Sequence, residues 1–221
     1  MSMTNLLPPY AAILFDFDGT LIDSYPAITA SINFVRAAHG LSALDVSEVK
    51  QHVGRGQDYL LEHTVPGYRP EVDVPRYRAH HPTVMRELTS LLPGAAEVLA
   101  ALHAGGKRLA LCSNKPRLFS AELVRHLGMS GLFEVILGPE DVAHPKPAPD
   151  VLRAALERLA LPTECALYVG DMTVDVAAAR AAGVAVWVVP TGSDSRAALE
   201  AAHPDRVLDG LCQIIDAGAV T

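Results

Sequence analysis

Five short runs of the chain are almost uninterruptedly apolar, and a polar residue or a glycine stops each one. They are residues 11–17 (AAILFDF), 108–113 (RLALCS), 133–137 (FEVIL), 165–170 (CALYVG) and 184–189 (VAVWVV). Short runs without alternation suit strands covered on both faces, as in a parallel sheet. Helical patterns separate the later runs. Residues 95–103 lead into Gly105-Gly106, and residues 115–127 stop at Gly128. Residues 149–161 open on Pro149 and align Leu152, Leu156 and Leu159, while residues 174–182 are alanine-rich and precede Gly183. Strand and helix thus alternate from residue 94 onward, which predicts an α/β fold with a doubly wound, mostly parallel sheet.

Between the first and second runs that rhythm fails, for about ninety residues. Helical patterns cover 26–39, 46–53, 58–63 and 74–88 instead. A structureless loop of such length is uncommon inside a compact domain. Residues 22–93 are therefore expected to form a folded helical insert between a core piece at 1–21 and the rest of the core at 94–221, with Pro93-Gly94 marking the return. A chain of 221 residues with 50% hydrophobic content has material for a real core, and a mainly disordered chain is excluded. Acids and bases nearly balance within the insert, so most of the net charge of −7 lies outside it.

An acidic chain is a poor partner for nucleic acid, which needs a basic field. No charge-free apolar stretch approaches membrane-span length, so no membrane partner is expected. The first ten residues (MSMTNLLPPY) lack the basic start and apolar run of a signal peptide. Cys112, Cys165 and Cys212 are odd in number and widely spaced, which suggests neither a disulfide framework nor a zinc site. A reducing, cytoplasmic setting follows as the expectation, and no pattern specifies a subunit interface.

The first strand ends in Asp16-Phe17-Asp18-Gly19-Thr20. On a strand, Asp16 and Asp18 share one side, and open α/β sheets bind ligands at the carboxyl ends of their strands. Asp18-Gly19 alone reads equally as a turn. Asp16, however, sits within an apolar strand, where an unpaired charge is costly. The fourth core strand ends in Gly170-Asp171-Met172-Thr173-Val174-Asp175. Here the plainer reading is a helix N-cap at Asp171 with Asp175 in the first turn. If the first and fourth strands are neighbours, the four acids cluster. At ~4 Å and an effective dielectric near 20, each like-charge pair costs about 4 kcal/mol. A hard divalent cation relieves that repulsion, and Mg²⁺ suits a few carboxylates plus a phosphate. Ser113 and Asn114 follow the second core strand, either as N-caps or as anion ligands at a helix mouth. Lys146 lies between Pro145 and Pro147, in a stiff loop or a solvated turn.

Taken in order, DFDGT, SN, KP and GDMTVD resemble the four motifs of haloacid dehalogenase-type phosphatases, and the helical insert resembles their C1-type cap. The resemblance implies a Mg²⁺-dependent phosphatase acting on a small phosphorylated metabolite. Asp16 is then the nucleophile that becomes an aspartyl phosphate, and Asp18 the general acid and base. Mg²⁺ is held by the carboxylates of Asp16 and Asp171 and the backbone carbonyl of Asp18, with Asp175 orienting metal-bound water or Lys146. Gly19 shapes the nucleophile loop, Ser113 and Asn114 hold phosphoryl oxygens, and Lys146 balances charge.

Asp18 argues against dehalogenase and phosphonate-cleaving relatives, which lack that acid. Sugar phosphomutases of the family tend to carry a histidine in the first cap helix, where Ile28 stands here. The segment HVGRGQDYLL at 52–61 resembles the VGxGxxxLL stretch of phosphoglycolate phosphatases. That makes phosphoglycolate the leading substrate, with Arg55 pairing its carboxylate or else an exposed turn residue. The alternatives are a sugar-phosphate or pyrophosphate phosphatase, a β-phosphoglucomutase-like enzyme, or a phosphorylation-controlled signalling module. The last has no counterpart to the insert. His52, His63, His80 and His81 fit no metal-ligand spacing and are expected to pack or face solvent.

Overall fold

The computed structural model describes residues 10–215. Residues 1–9 lie outside that range, and so does most of the segment read for a signal peptide. The chain runs from β1 (Ala12–Phe15) to a two-residue strand β2 (Ile22–Asp23) and then four helices: α1 (Tyr25–Ala38), α2 (Val46–Lys50), α3 (Gln57–Thr64) and α4 (Pro70–Val84). Next come β3 (Ser90–Leu91), α5 (Ala95–Ala104), β4 (Arg108–Cys112), α6 (Arg117–His126) and β5 (Val135–Leu137). The remainder is α7 (Asp150–Leu159), β6 (Ala166–Gly170), α8 (Thr173–Ala182), β7 (Ala185–Val188), α9 (Arg196–Ala201) and β8 (Arg206–Val207).

Six strands form one parallel sheet in the order β5-β4-β1-β6-β7-β8. Side chains alternate strictly across it, because successive strand residues point to opposite faces. Ile13 and Phe15 join Val98, Leu99, Leu102, Phe119 and Leu123 of α5 and α6 in one layer. Ala12 and Leu14 join Val151, Leu152, Leu156, Val176 and Ala179 of α7 and α8 in the other. Both faces being covered, the strands read as continuous apolar runs. Each buried aliphatic side chain stabilises by roughly 1.5–3 kcal/mol, and Leu14→Ala would cost about 2–5 kcal/mol through the cavity it leaves.

Register decides where the chemistry gathers. Phe15 pairs with Leu111 of β4 and Val169 of β6, so the residues after all three strands emerge side by side. The expected neighbourhood of the first and fourth core strands is present. The four helices α1 to α4 lie between β2 and β3, which pair antiparallel through Ile22–Leu91 and Asp23–Ser90. Ser31 of α1 and His81 of α4 meet at 3.0 Å between Oγ and Nδ1.

Several boundaries differ from the sequence reading. The first strand stops at Phe15, not residue 17, and α6 starts at Arg117, not residue 115. Helix α4 occupies Pro70–Val84 instead of 74–88. Pro70 sits in its first turn, where no intrahelical donor is lost. Strands β2, β3 and β8 are too short for any periodicity to register. No helix among the described residues is long and apolar enough to cross a membrane.

Candidate active site

Asp16 leaves β1 still in sheet register, its N–H donating to Val169 O at 2.9 Å. The chain then turns tightly: Leu21 N donates to Phe17 O (2.9 Å), and Gly19 N to Ile22 O (2.8 Å). Gly19 has φ +84°, and a Cβ there would collide with the Asp171 carboxylate, so glycine is required twice over. Because the strand has already ended, Asp16 and Asp18 face different partners.

Asp16 belongs to a buried cluster. One oxygen each from Asp16, Asp171 and Asp175 lie within 4.8 Å of one another. Lys146 Nζ sits 2.9 Å from Asp16 Oδ1 and 2.7 Å from Asp175 Oδ1. Burial, above all, pushes the Asp16 carboxyl up to about 6; Lys146 opposes this and Asp175 adds to it. Burial followed by repulsion from Asp175 and Asp16 holds Asp171 well above the usual carboxylate range. Burial pulls the Lys146 ammonium down, but Asp16 and Asp175 outweigh it and raise its pKa. Lys146 therefore stays charged.

Asp175 has no oxygen to spare. Its Oδ1 also lies 2.9 Å from the Tyr168 hydroxyl, and its Oδ2 accepts from the N–H groups of Asp171 (3.1 Å) and Met172 (2.9 Å). Helix α8 is thus capped from Asp175 at its third position, with Met172 as N-cap. The N-cap reading of Asp171 is corrected: its Oδ1 accepts from Thr20 Oγ1 at 2.5 Å, and its Oδ2 is buried without a partner. A Cβ on Gly192, in the loop after β7, would also strike that carboxylate. Three carboxylates against one ammonium leave negative charge unbalanced. An orphaned, glycine-cradled carboxylate oxygen beside Asp16 is a donor set that fits a hard divalent cation.

Asp18 is the correction to the expected four-acid cluster. Its carboxylate turns from the other three and accepts from Lys115 Nζ at 3.0 and 3.3 Å, and from Ser24 Oγ. Sequence reasoning missed Lys115, since a lysine beside a helix start reads as solvated; its side chain is only 4% exposed. Ser113 and Asn114 are buried next to it. Neither caps α6, whose N-cap is Pro116. Ser113 Oγ instead accepts from Lys115 N at 3.2 Å. Asn114 Nδ2 donates to Lys146 O (2.9 Å) and Gly54 O (3.0 Å), and its Oδ1 accepts from Lys146 N (2.9 Å). One amide thereby ties the lysine loop to the turn before α3.

A pocket opens between these strand ends and the helices α1, α3 and α4. Asp16, Asp18, Ser113, Asn114 and Lys115 line its polar side; Ile28, Val53, Leu60, Tyr77 and Phe119 line the other. Of the two readings of Arg55, the exposed turn residue matches its position. Gly54 (φ +104°) and Gly56 (φ +96°) turn their own backbone into the pocket. The exposed Arg55 between them lies over the Tyr59 ring at 5.2 Å, in an adjoining groove that shares Gly56, Gln57, Asn114 and Pro116 with the pocket. The histidines pack, as anticipated. His81 stacks on Tyr77 with ring centres 5.1 Å apart, His80 on Phe34 at 4.2 Å and His63 on Tyr59 at 3.8 Å. Burial pushes His81 down to about 2, with Lys115 adding to the shift, so it is neutral.

Residues 13–189 match the family model of haloacid dehalogenase-like hydrolases. A phosphoglycolate phosphatase of Cupriavidus necator is 35% identical over 95% of this chain and 93% of its own length. One from Cereibacter sphaeroides is 37% identical over 78% of this chain and 81% of its own. Among solved structures, CbbY from Rhodobacter sphaeroides in complex with phosphate superposes with a TM-score of 0.81 at 27% identity, covering 93% of this chain and 96% of that one. With strand-end acids, buried lysine and fold in agreement, the chain belongs to the haloacid dehalogenase-like hydrolase family.

Proposed function

We propose that the protein is a Mg²⁺-dependent phosphatase that hydrolyses a small phosphorylated metabolite through an aspartyl phosphate, with phosphoglycolate the leading substrate. The observation that carries this reading is the buried pair Asp16 and Asp171, short of positive charge, with Asp16 lining a pocket that also holds Asp18. The names of the relatives support the substrate.

Asp16 attacks phosphorus as the bond to the leaving oxygen breaks, and Asp18 gives that oxygen its proton. Asp18 then takes a proton from the water that attacks the aspartyl phosphate, and phosphate departs with Asp16 restored. Ser113 Oγ and the Asn114 N–H hold phosphoryl oxygens; Lys146, fixed by Asp175, keeps positive charge beside Asp16. Asp16, Asp171 and the Asp18 carbonyl would hold Mg²⁺, which when bound offsets the charge of phosphate and nucleophile. Residues 22–93 act as a cap that closes the pocket and excludes water, on a core made of 1–21 and 94–221. Free Cys112, Cys165 and Cys212 suit a cytoplasmic setting.

Ile28 on α1 gives the pocket an apolar wall, with no acid–base group for a mutase to use there. Phosphate release from a panel of phosphate esters, with and without Mg²⁺ and ranked by kcat/KM, tests the reading. It predicts Mg²⁺-dependent release with phosphoglycolate at the head; metal-independent release, or none from any ester, contradicts it.

A further inference from the structure

The pocket contains one cation that the phosphatase chemistry leaves unassigned. Lys146 is committed to Asp16 and Asp175. Lys115 is the remaining cationic side chain of the pocket lining, and among the described residues its ammonium meets only the two oxygens of Asp18. An ammonium has three donors, so holding Asp18 leaves it capacity for another anion. A second donor belongs to a residue of the same wall. Gln57 Oε1 accepts from Arg78 Nε at 3.1 Å. Arginine only donates, which obliges the Gln57 carbonyl end to face it. The amide Nε2 is then turned away, and it is buried without a partner in the pocket wall.

Position within the reaction fixes what these donors meet. Asp18 faces the leaving oxygen, and Lys115 Nζ is 3.0 Å from Asp18 Oδ1. An anion reaching Lys115 must therefore sit close to the ester oxygen along the leaving group. The rest of the wall is Ile28, Val53, Leu60, Tyr77 and Phe119, which offers little to a polyhydroxylated sugar, whose buried hydroxyls would go unpaired.

Resting on the phosphatase reading above, we infer that Lys115, with Gln57 as second donor, recognises a carboxylate on the carbon that carries the phosphoester oxygen. The site thus selects short 2-phosphooxy carboxylates. A carboxylate is planar and accepts from two directions, matching an ammonium on one side and an amide on the other.

The experiment compares kcat/KM for phosphoglycolate with that for ethyl phosphate, which has the same carbon count and no carboxylate, in wild type, Lys115→Met, Lys115→Arg and Gln57→Met. Loss of a buried charge partner predicts that Lys115→Met weakens phosphoglycolate roughly 100-fold more than ethyl phosphate. Lys115→Arg recovers part of that ratio, and Gln57→Met, at a residue with no hydrogen bond to Asp18, lowers it roughly 10-fold. Gln57→Met serves alone if Lys115→Met does not fold. Wild type that prefers phosphoglycolate, with variants that lose both substrates equally, overturns this inference and leaves the phosphatase reading standing. Wild type that hydrolyses ethyl phosphate as well as phosphoglycolate overturns the substrate assignment and the inference together.

Discussion

Asp175 holds Lys146: its Oδ1 lies 2.7 Å from the lysine Nζ, with both side chains essentially out of contact with solvent. The other oxygen of the same carboxylate caps α8 through the N–H groups of Asp171 and Met172. A single side chain therefore links the lysine loop to the end of β6. Breaking a buried pair by removing one partner is costly, because the other charge is stranded. Asp175→Asn should lower unfolding free energy by about 3 kcal/mol in urea titrations. The double variant with Lys146→Met should lose less than the sum of the two singles. Strict additivity would mean that the two do not act as a unit.

The acid cluster predicts an unusual pH dependence in metal-free protein. Burial raises Asp16 from 3.8 to about 6. Between those values the folded state binds more protons than the unfolded chain, so stability falls as pH rises. Asp171, held up by burial and by Asp175, extends the fall further. Unfolding free energies from urea titrations in chelator should decline as pH rises from about 4 to about 6, and continue down above that, by on the order of 1–3 kcal/mol. Saturating Mg²⁺ should remove most of that decline, and a profile unchanged by Mg²⁺ would count against a cation at the cluster.

Asn114 makes three hydrogen bonds that join the lysine loop to the turn before α3. Asn114→Ala should cost about 1–3 kcal/mol and speed proteolytic cleavage near Gly54. Cleavage at the wild-type rate would show that the turn is held by other contacts, such as Gly54 against Met172.

Arg55 stands outside the pocket, over Tyr59. Arg55→Ala should change kcat/KM for phosphoglycolate and p-nitrophenyl phosphate alike, with stability shifted by less than about 0.5 kcal/mol. A selective loss on phosphoglycolate would bring Arg55 back as a reader of its carboxylate.

The parallel sheet was legible because strands covered on both faces carry unbroken apolar runs. Asp16 was legible because a charge inside an apolar strand stands out, whereas Asp171 and Lys146, each of which alone also reads as a helix cap or a solvated turn, were singled out by the order of the motifs. What escaped depended on tertiary contact. The divergence of Asp18 from Asp16 follows from the strand stopping at Phe15 and the turn at Gly19, neither of which alters the residue pattern. Lys115 fits the helical pattern of its segment, but α6 begins only after Pro116. A substrate contact for Arg55 was offered by the resemblance of its segment to phosphoglycolate phosphatases, and no residue pattern reports that the turn at Gly54 and Gly56 leaves it over Tyr59. Tyr168, inside an apolar strand, gave no sign that its hydroxyl meets both Lys146 and Asp175.

Covalent catalysis at Asp16 is the central claim, and acid-quenched turnover tests it most directly. Protein mixed with phosphoglycolate and Mg²⁺ is quenched, digested and examined by mass spectrometry for a phosphoryl group on the peptide containing Asp16. The Asp18→Asn variant is run in parallel to slow hydrolysis of the intermediate. The mechanism predicts the phosphoryl group on Asp16, more of it in Asp18→Asn and none in Asp16→Asn, which should also release no phosphate. Mg²⁺-dependent phosphate release by Asp16→Asn at a rate comparable to wild type would contradict it.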